Sequence, residues 1–205
     1  MINFAKNIYH ILIKLISKFV SFEYSFRNRL LTNRDFTIIS NNCIAGFIYH
    51  DLNMSFLSPT INLTINNHDY IKFLLNIEHY LSLQLVEVKS NDKRYPVGLL
   101  GDIGINFIHY NSFEEAKMAW ERRKTRINFK NIYVIFYPID ENIVLPTKTL
   151  DYFIKRYKNL IIFDSTKKTK PYFKFVKKGK YWYQKNIFGQ RYLFSKWNYI
   201  NFLNK

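Results

Sequence analysis

Residues 36–52, FTIISNNCIAGFIYHDL, decide the fold of this chain. The β-branched run from Phe36 to Ser40 predicts a buried strand, and Ile44 to Leu52 predicts a short helix after a polar turn. Ligands of α/β domains bind where a strand ends and a helix begins, because free backbone N–H groups and the helix dipole point there. The stretch therefore predicts an α/β domain with a ligand site at the turn.

The rest of the centre alternates strand and helix patterns. Strands are predicted at residues 60–65, 85–89, 131–137 and 159–163, and in 99–110 with a break at Gly101-Asp102. Helices are predicted at residues 66–83, 113–126 and 150–157, and Ser112 with Glu115 forms a capping box before the second of them. This alternation is typical of a three-layer α/β/α sandwich.

The net charge of +16 is concentrated at the two ends of the chain. Residues 1–34 and 165–205 are strongly basic, whereas basic and acidic groups balance in residues 35–164. We therefore divide the chain into a basic amino-terminal segment (1–34), an α/β core domain (35–164) and a basic, aromatic-rich carboxyl-terminal extension (165–205). The charged ends indicate an anionic partner, either a membrane surface or a nucleic acid. The single cysteine excludes an internal disulfide and favours a cytoplasmic location.

Residues 2–21 predict an amphipathic helix with lysines on its polar face. Lys14 and Lys18 interrupt the apolar stretch, so the helix is not expected to span a membrane. It would either lie in the headgroup region of an anionic membrane or pack on the domain core. The mixture of lysine and aromatic residues in the carboxyl-terminal extension favours the membrane, and we expect a peripheral location on the inner face of the plasma membrane.

Several motifs resemble one bacterial family. In order along the chain they are Ser40-Asn41-Asn42-Cys43, Ile48-Tyr49-His50-Asp51-Leu52, Ser58-Pro59-Thr60-Ile61-Asn62-Leu63, Tyr95-Pro96-Val97-Gly98, His109-Tyr110, Trp120-Glu121-Arg122-Arg123 and Arg126-Ile127-Asn128. Residues 30–165 are similar to the DUF1919 family, whose members are often labelled exopolysaccharide or capsule biosynthesis proteins. The resemblance implies an α/β/α fold with a mixed, mostly parallel sheet. Where the family usually carries Trp-Gly-Gly after the cysteine, this chain has Ile44-Ala45-Gly46.

Cys43, His109 and Asp102 are the candidate catalytic residues. A helix amino terminus at Cys43 would lower the pKa of the thiol and supply donors to an oxyanion, although a buried structural cysteine is the alternative. Among His50, His68 and His109, His109 is the best candidate base, because it would share a sheet edge with Cys43 if the strands are parallel. Asp102 would orient a histidine or accept from a hydroxyl, or it is a turn residue.

Arg123 falls inside the apolar stripe of the predicted helix 113–126, with Arg126 at its rim. A buried guanidinium requires a partner, which is either a carboxylate such as Asp102 or the phosphate of a substrate. We assign Arg123 and Arg126 to substrate binding as an anion clamp. Asn41 and Asn42, as donors to a developing charge, and His50 complete the predicted substrate-binding set.

The sequence contains no glycine-rich phosphate loop, DxD-like pair or zinc signature, and we predict neither a metal nor a cofactor. The leading hypothesis is a membrane-associated transferase of bacterial cell-surface polysaccharide biosynthesis. Its substrate would be a glycan precursor, including one linked to lipid through phosphate. The alternatives are a nucleic-acid-binding protein that uses the basic aromatic carboxyl-terminal extension, and a non-catalytic scaffold of a polysaccharide assembly complex.

Overall fold

The computed structural model describes residues 26–89, 93–137, 145–164, 173–175 and 197–205. The amphipathic helix predicted at residues 2–21 and most of the basic carboxyl-terminal extension lie outside the described residues. Within those ranges, no helix is long and apolar enough to cross a membrane.

The described residues form short strands and helices. The strands are β1 (Thr37–Ser40), β2 (Thr64–Ile65), β3 (Leu85–Val88), β4 (Val97–Leu100), β5 (Ile103–Asn106), β6 (Ile132–Phe136), β7 (Asn159–Asp164) and β8 (Phe173–Phe175). The helices are α1 (Ile44–Asp51), α2 (Asn67–Leu75), α3 (Ile77–Ser82), α4 (Phe113–Lys124), α5 (Thr147–Arg156) and α6 (Tyr199–Leu203). Residues 26–30 are also helical.

A parallel sheet with the strand order β1-β6-β7-β8 lies at the centre of the domain. Its inner strands are continuous apolar runs, because helices cover both faces. Ile39 and Val134 join the core that α2, α3, α4 and α5 cover, whereas Ile38 and Ile135 join the core that α1 and α6 cover. The predicted α/β fold is therefore confirmed, with helices on both faces of this sheet.

The remaining strands form a separate antiparallel sheet in the order β2-β5-β4-β3. Gly101, with φ +64°, and Asp102 make the tight turn between β4 and β5. Such a short connection permits antiparallel pairing only, because parallel neighbours need a long crossover. The sequence predicts one sheet with both parallel and antiparallel strands, but the structure has one parallel and one antiparallel sheet. A hydrogen bond connects the two sheets, because Ile65 N–H donates to the Asn41 carbonyl at 2.9 Å.

Two predicted elements differ from those observed. The strand expected at 60–65 is reduced to β2, since Asn62 adopts a left-handed conformation with φ 61° that interrupts an extended chain. The helix expected at 66–83 is divided into α2 and α3 at Asn76, whose φ of −145° is not helical. The predicted capping of α4 is confirmed, because Ser112 Oγ accepts the Glu115 N–H at 3.1 Å.

Candidate functional site

Residues 56–65, here called the edge segment, run along the side of β1 that β6 leaves open. The Thr37 hydroxyl donates to the Leu57 carbonyl at 3.1 Å, near the start of β1. At its end, Ser40 N–H donates to Thr60 Oγ1 at 3.1 Å. The edge segment therefore follows β1 in the same direction and brings loop residues against the sheet.

Arg123 approaches the edge segment from α4. Its side chain lies on the apolar stripe of that helix, and only 6% of the residue is exposed. Arg123 Nη1 donates to the Tyr110 hydroxyl at 2.5 Å and lies 3.4 Å from the Ile61 carbonyl oxygen. The guanidinium also lies over the Phe56 ring, 4.9 Å from its centroid. The predicted burial of Arg123 is thus what the structure shows.

The Arg123 charge has no carboxylate partner in the part of the chain that the structure describes. Its Nε and Nη2 atoms make no hydrogen bond to described residues, and neither atom is fully enclosed. Asp102, the carboxylate considered from the sequence, is instead exposed and paired with Lys72 at 2.6 Å. A buried cation without a counter-charge is costly. This guanidinium is therefore suited to an anionic ligand, to which Nε and Nη2 can donate.

Tyr110 and Arg126 complete the surroundings of Arg123. Burial raises the pKa of Tyr110 while the neighbouring Arg123 opposes that shift, so the hydroxyl stays protonated at neutral pH and can donate to the Ile61 carbonyl at 3.4 Å. Arg126 is exposed and donates to the Phe56 carbonyl at 3.2 Å. The two arginines predicted as an anion clamp therefore contact one residue, Phe56.

The side-chain amide of Asn41 bonds to the backbone of Tyr137, the residue that follows β6. Its Nδ2 donates to the Tyr137 carbonyl at 2.7 Å, and its Oδ1 accepts the Tyr137 N–H at 3.0 Å. The side chain thus mimics one more residue pair between β1 and β6. Both bonds of the Asn41 amide thus go to Tyr137, which leaves the second Nδ2 hydrogen for the predicted donation to a substrate.

Asn42 lies two residues before the first residue of helix α1. Its Oδ1 accepts the Ile44 N–H at 3.1 Å, and its own carbonyl accepts the Ser40 hydroxyl at 2.7 Å. The Asn42 Nδ2 is buried and has no hydrogen-bond partner in the described part of the chain. Asn42 is therefore half satisfied, with one donor left over beside the amino terminus of α1.

Cys43 lies buried at the start of α1. Its Sγ is 3.8 Å from the Leu63 carbonyl oxygen, to which the thiol donates weakly. Desolvation by burial raises the pKa of this thiol from 9.0 to about 12. The shift is opposite to the one expected from a helix amino terminus, and the thiol is protonated at neutral pH. A thiolate nucleophile is disfavoured at this position.

His109 and Asp102 do not form a group with Cys43. Asp102 precedes β5, where it pairs with Lys72 and accepts the Tyr80 hydroxyl at 2.8 Å, and these contacts lower its pKa. His109 is exposed in the turn after β5, and partial burial lowers its pKa. The two residues flank opposite ends of β5. Their strand belongs to the antiparallel sheet, so the edge that His109 was expected to share with the parallel β1 is absent.

His50 is also distant along the helix from the predicted centre. It is exposed in the last turn of α1, whereas Cys43 caps the first turn. With 1.5 Å of rise per residue, the backbones of the two residues are about 10 Å apart along the helix axis. The structure therefore does not bring His50 to the amino terminus of α1.

Three groups around Arg123 were not predicted from the sequence: the Tyr110 hydroxyl, the Phe56 ring and the Ile61 carbonyl. Tyr110 and Ile61 do belong to motif stretches, and this is the only signal that marks them. Gly46 brings α1 close to the same place, since an added Cβ would lie 3.3 Å from Asn62 Oδ1 and from Ile61 Cγ2. In the described ranges, no three His, Cys, Asp or Glu side chains cluster closely enough to hold a metal ion.

Comparison with known sequences shows which proteins this chain resembles. The model of a family described as "Domain of unknown function (DUF1919)" matches residues 15–204, a longer stretch than the motifs indicated. A Haemophilus influenzae protein described as "Uncharacterized protein" is 37% identical over 171 residues, which are 83% of this chain and 80% of that protein. Parts of both basic ends are therefore within the conserved length of the match.

Proposed function

The chain belongs to the DUF1919 family, and we propose that it is a transferase of bacterial surface-polysaccharide assembly that binds a phosphate-bearing glycan precursor at Arg123. The reaction would take place at the inner face of the plasma membrane. The pathway comes from the label that members of this family often carry. The ligand class comes from the surroundings of Arg123.

The observation that carries the proposal is the unneutralised guanidinium of Arg123. A purely structural arginine at this depth would be expected to meet a carboxylate, since removing a charge from water costs several kcal/mol. Here the described partners are a phenol and a carbonyl, both neutral. They fix the orientation of the planar group and leave its charge for a ligand. Phosphate suits a guanidinium because two parallel N–H donors match two of its oxygens.

The remaining residues have supporting roles in this proposal. Arg126, held on the Phe56 carbonyl, would add a second positive charge at the exposed side of the site. His109 would act as the general base that accepts the proton of a sugar hydroxyl while the hydroxyl oxygen bonds to the transferred sugar and the phosphate held by Arg123 leaves. Its lowered pKa keeps the imidazole neutral near pH 7, as that role requires. Cys43 and Asp102 have no catalytic role in this mechanism.

Complementation of a deletion strain tests the proposal. The surface glycan of the strain is analysed chemically after expression of Arg123→Met or of the control Arg122→Met, which removes an exposed guanidinium from the same helix. We expect Arg122→Met to restore the glycan and Arg123→Met to leave it without one sugar or substituent. Thermal unfolding of both variants verifies that they fold.

The result that would overturn the proposal is a normal glycan in the folded Arg123→Met strain. A direct measurement accompanies it: calorimetric titration with inorganic pyrophosphate should show a binding component in the unsubstituted protein that Arg123→Met lacks. Loss of one hydrogen-bonded charge pair in a desolvated site weakens binding by about thirtyfold or more.

A non-catalytic scaffold of the same pathway is the second candidate. The separation of Cys43, His109 and Asp102 favours it, because Cys43 bonds a backbone carbonyl and Asp102 bonds Lys72 and Tyr80, so none of the three activates another. The scaffold requires the anion site but no proton transfer. A strain with His109→Ala distinguishes the two candidates: the transferase predicts a defective glycan, and the scaffold predicts a normal one.

The nucleic-acid alternative rests on the basic aromatic carboxyl-terminal extension, most of which lies outside the described residues. It stays a prediction. Affinity for single-stranded RNA that falls steeply with salt, without any affinity for lipid vesicles, would favour it over the membrane-associated transferase.

A further inference from the structure

A basic cleft of about 380 Å³ opens at the amino-terminal edge of the parallel sheet, where β6 and β7 begin. Arg123 and the edge segment do not line it, so it is distinct from the site described above. Its charged lining consists of Lys130, Arg156, Lys158 and Lys205, with Glu78 as the one acidic residue. The function proposed above makes no use of this cleft.

The positive charge of the cleft is largely uncompensated. Glu78 forms an ion pair with Arg156, which cancels one cation. Lys130 and Lys158 make no ion pair or side-chain hydrogen bond with the described residues, and the Lys205 ammonium lies over the Phe202 ring, 6.0 Å from its centroid. Lys130 and Lys158 thus add uncompensated positive charge to the lining of one concavity, which raises the local concentration of anions.

Asparagine side chains hold the walls of the cleft in place. Asn33 Nδ2 donates to the Tyr133 hydroxyl and to the Leu203 carbonyl, both at 3.0 Å. Asn204 Nδ2 donates to the Leu30 carbonyl at 2.8 Å. These bonds connect α6, β6 and the segment that precedes β1. The cleft is therefore formed before any ligand arrives, as is usual for binding sites.

Exposed apolar side chains accompany these cations. Phe129 lines the cleft and is 50% exposed. Leu30, whose carbonyl is bound by Asn204, is 47% exposed, and Phe26, one helical turn earlier, is 53% exposed. Large apolar groups next to lysines are typical of surfaces that enter the headgroup region of a bilayer. Binding of a soluble anion would not require these three exposed side chains, here called the apolar rim.

We propose that this cleft binds the phosphate of an anionic lipid headgroup and docks the protein on the membrane, with Phe129, Leu30 and Phe26 entering the interface. The proposal goes beyond the glycan function at Arg123 and shares with it only the location at the membrane. The charge of the cleft and its apolar rim together favour a phospholipid over a free phosphate. No residue of the Arg123 site takes part.

Vesicle flotation of the full-length protein tests the proposal. The vesicles are phosphatidylcholine with or without phosphatidylglycerol, and the cleft variant is Lys130→Gln with Lys158→Gln. The matched control is Lys89→Gln with Lys148→Gln, two exposed lysines that do not line the cleft. We expect the cleft variant to lose about fivefold in partitioning for each lysine, and the control to lose much less. Equal losses in both variants, or no loss in the cleft variant, would overturn the proposal.

A second arm separates a lipid from a free phosphate. Phe129→Ser should weaken binding to the anionic vesicles but leave binding of inorganic phosphate unchanged, because only a bilayer contacts the ring. If Phe129→Ser binds anionic vesicles as the unsubstituted protein does, the ring does not enter the bilayer and the lipid proposal is wrong. Arg123→Met should float with anionic vesicles normally, so failure of this docking and failure of the glycan function give different results.

Discussion

The carboxyl end of β1 and the Arg123 site are both buried and polar, but their polar groups have opposite fates. At the end of β1, the Asn41 amide is paired with backbone, and the Cys43 thiol is kept neutral by desolvation. At Arg123, the two hydrogen bonds leave a full positive charge without a counter-ion among the described residues. The first region maintains the fold, and the second retains an interaction that a ligand can satisfy.

The difference teaches that residue type alone does not identify a site. Cysteine and asparagine at a strand end are typical of catalytic turns, yet here most of their hydrogen-bonding capacity is used within the protein. A buried charge that lacks a counter-charge is the better indicator, because a ligand of opposite charge would offset the cost of burying it. The following experiments test this contrast.

The largest effect is expected for Asn41→Ala. This change leaves the N–H and the carbonyl of Tyr137 without the amide that pairs with them. We expect the free energy of unfolding to fall by about 2–4 kcal/mol, measured by urea denaturation. Asn111→Ala, at an exposed position, serves as the control and should change stability by less than about 0.5 kcal/mol. A small effect of Asn41→Ala would mean that these two bonds do not stabilise the fold.

An intermediate effect is expected for the Cys43 thiol as the pH rises. The pKa is 9.0 for a free thiol and about 12 in the fold, so the folded state loses stability as the pH rises between these values. At pH 10 the loss relative to pH 8 should be about 1.4 kcal/mol larger in the unsubstituted protein than in Cys43→Ala. Urea unfolding at both pH values measures this difference. Parallel pH profiles would mean that the thiol is accessible and reactive.

A smaller effect on stability is expected for Arg123→Met. The Tyr110 hydroxyl can still donate to the Ile61 carbonyl, so both former partners remain satisfied. We expect the free energy of unfolding to change by less than about 1 kcal/mol or to increase, because an uncompensated charge is removed from the interior. Arg123→Lys, which keeps the charge, should be less stable than Arg123→Met. A loss of more than about 3 kcal/mol in Arg123→Met would show that the guanidinium is a structural pair instead.

The smallest effect is expected for Asp102→Asn, which should not change the pKa of His109. Asp102 contacts Lys72 and Tyr80, and burial alone lowers the pKa of His109. The pKa of the His109 imidazole, followed by its NMR chemical shift, should be the same in this variant as in the unsubstituted protein. A lower His109 pKa without the carboxylate would indicate that the two residues do interact, and it would restore Asp102 as a positioning residue.

Local sequence patterns predicted most of the elements and the burial of Arg123. The β-branched run at β1, the capping pair at Ser112 and the apolar stripe of α4 depend on neighbouring residues only, so a sequence contains them. The partner of Arg123 depends on the path of a loop some 60 residues earlier in the chain, which no periodicity encodes. The predicted decrease of the Cys43 pKa was wrong for a similar reason. Its basis was the helix terminus, whereas the depth of burial, which raises the pKa, depends on the whole fold.

The division into two sheets also depends on a feature that hydrophobic periodicity does not encode, the short turn between β4 and β5. The sequence predicts a break at Gly101-Asp102, and only the structure shows that the strands on either side of this turn run antiparallel. Because β4 and β5 pair as a hairpin in a separate sheet, His109 does not share a sheet edge with β1. The predicted pairing of His109 with Cys43 depended on that one condition.

The edge segment also covers the side of β1 at which a strand of another molecule could pair. A strand at the border of a sheet exposes a row of unpaired N–H and carbonyl groups, onto which another chain can add. β1 is spared this, since β6 pairs with one side and residues 56–65 lie along the other. Within the edge segment, Asn62 is left-handed and residues 64–65 already pair with β5, so the segment offers no long unpaired strand to another chain.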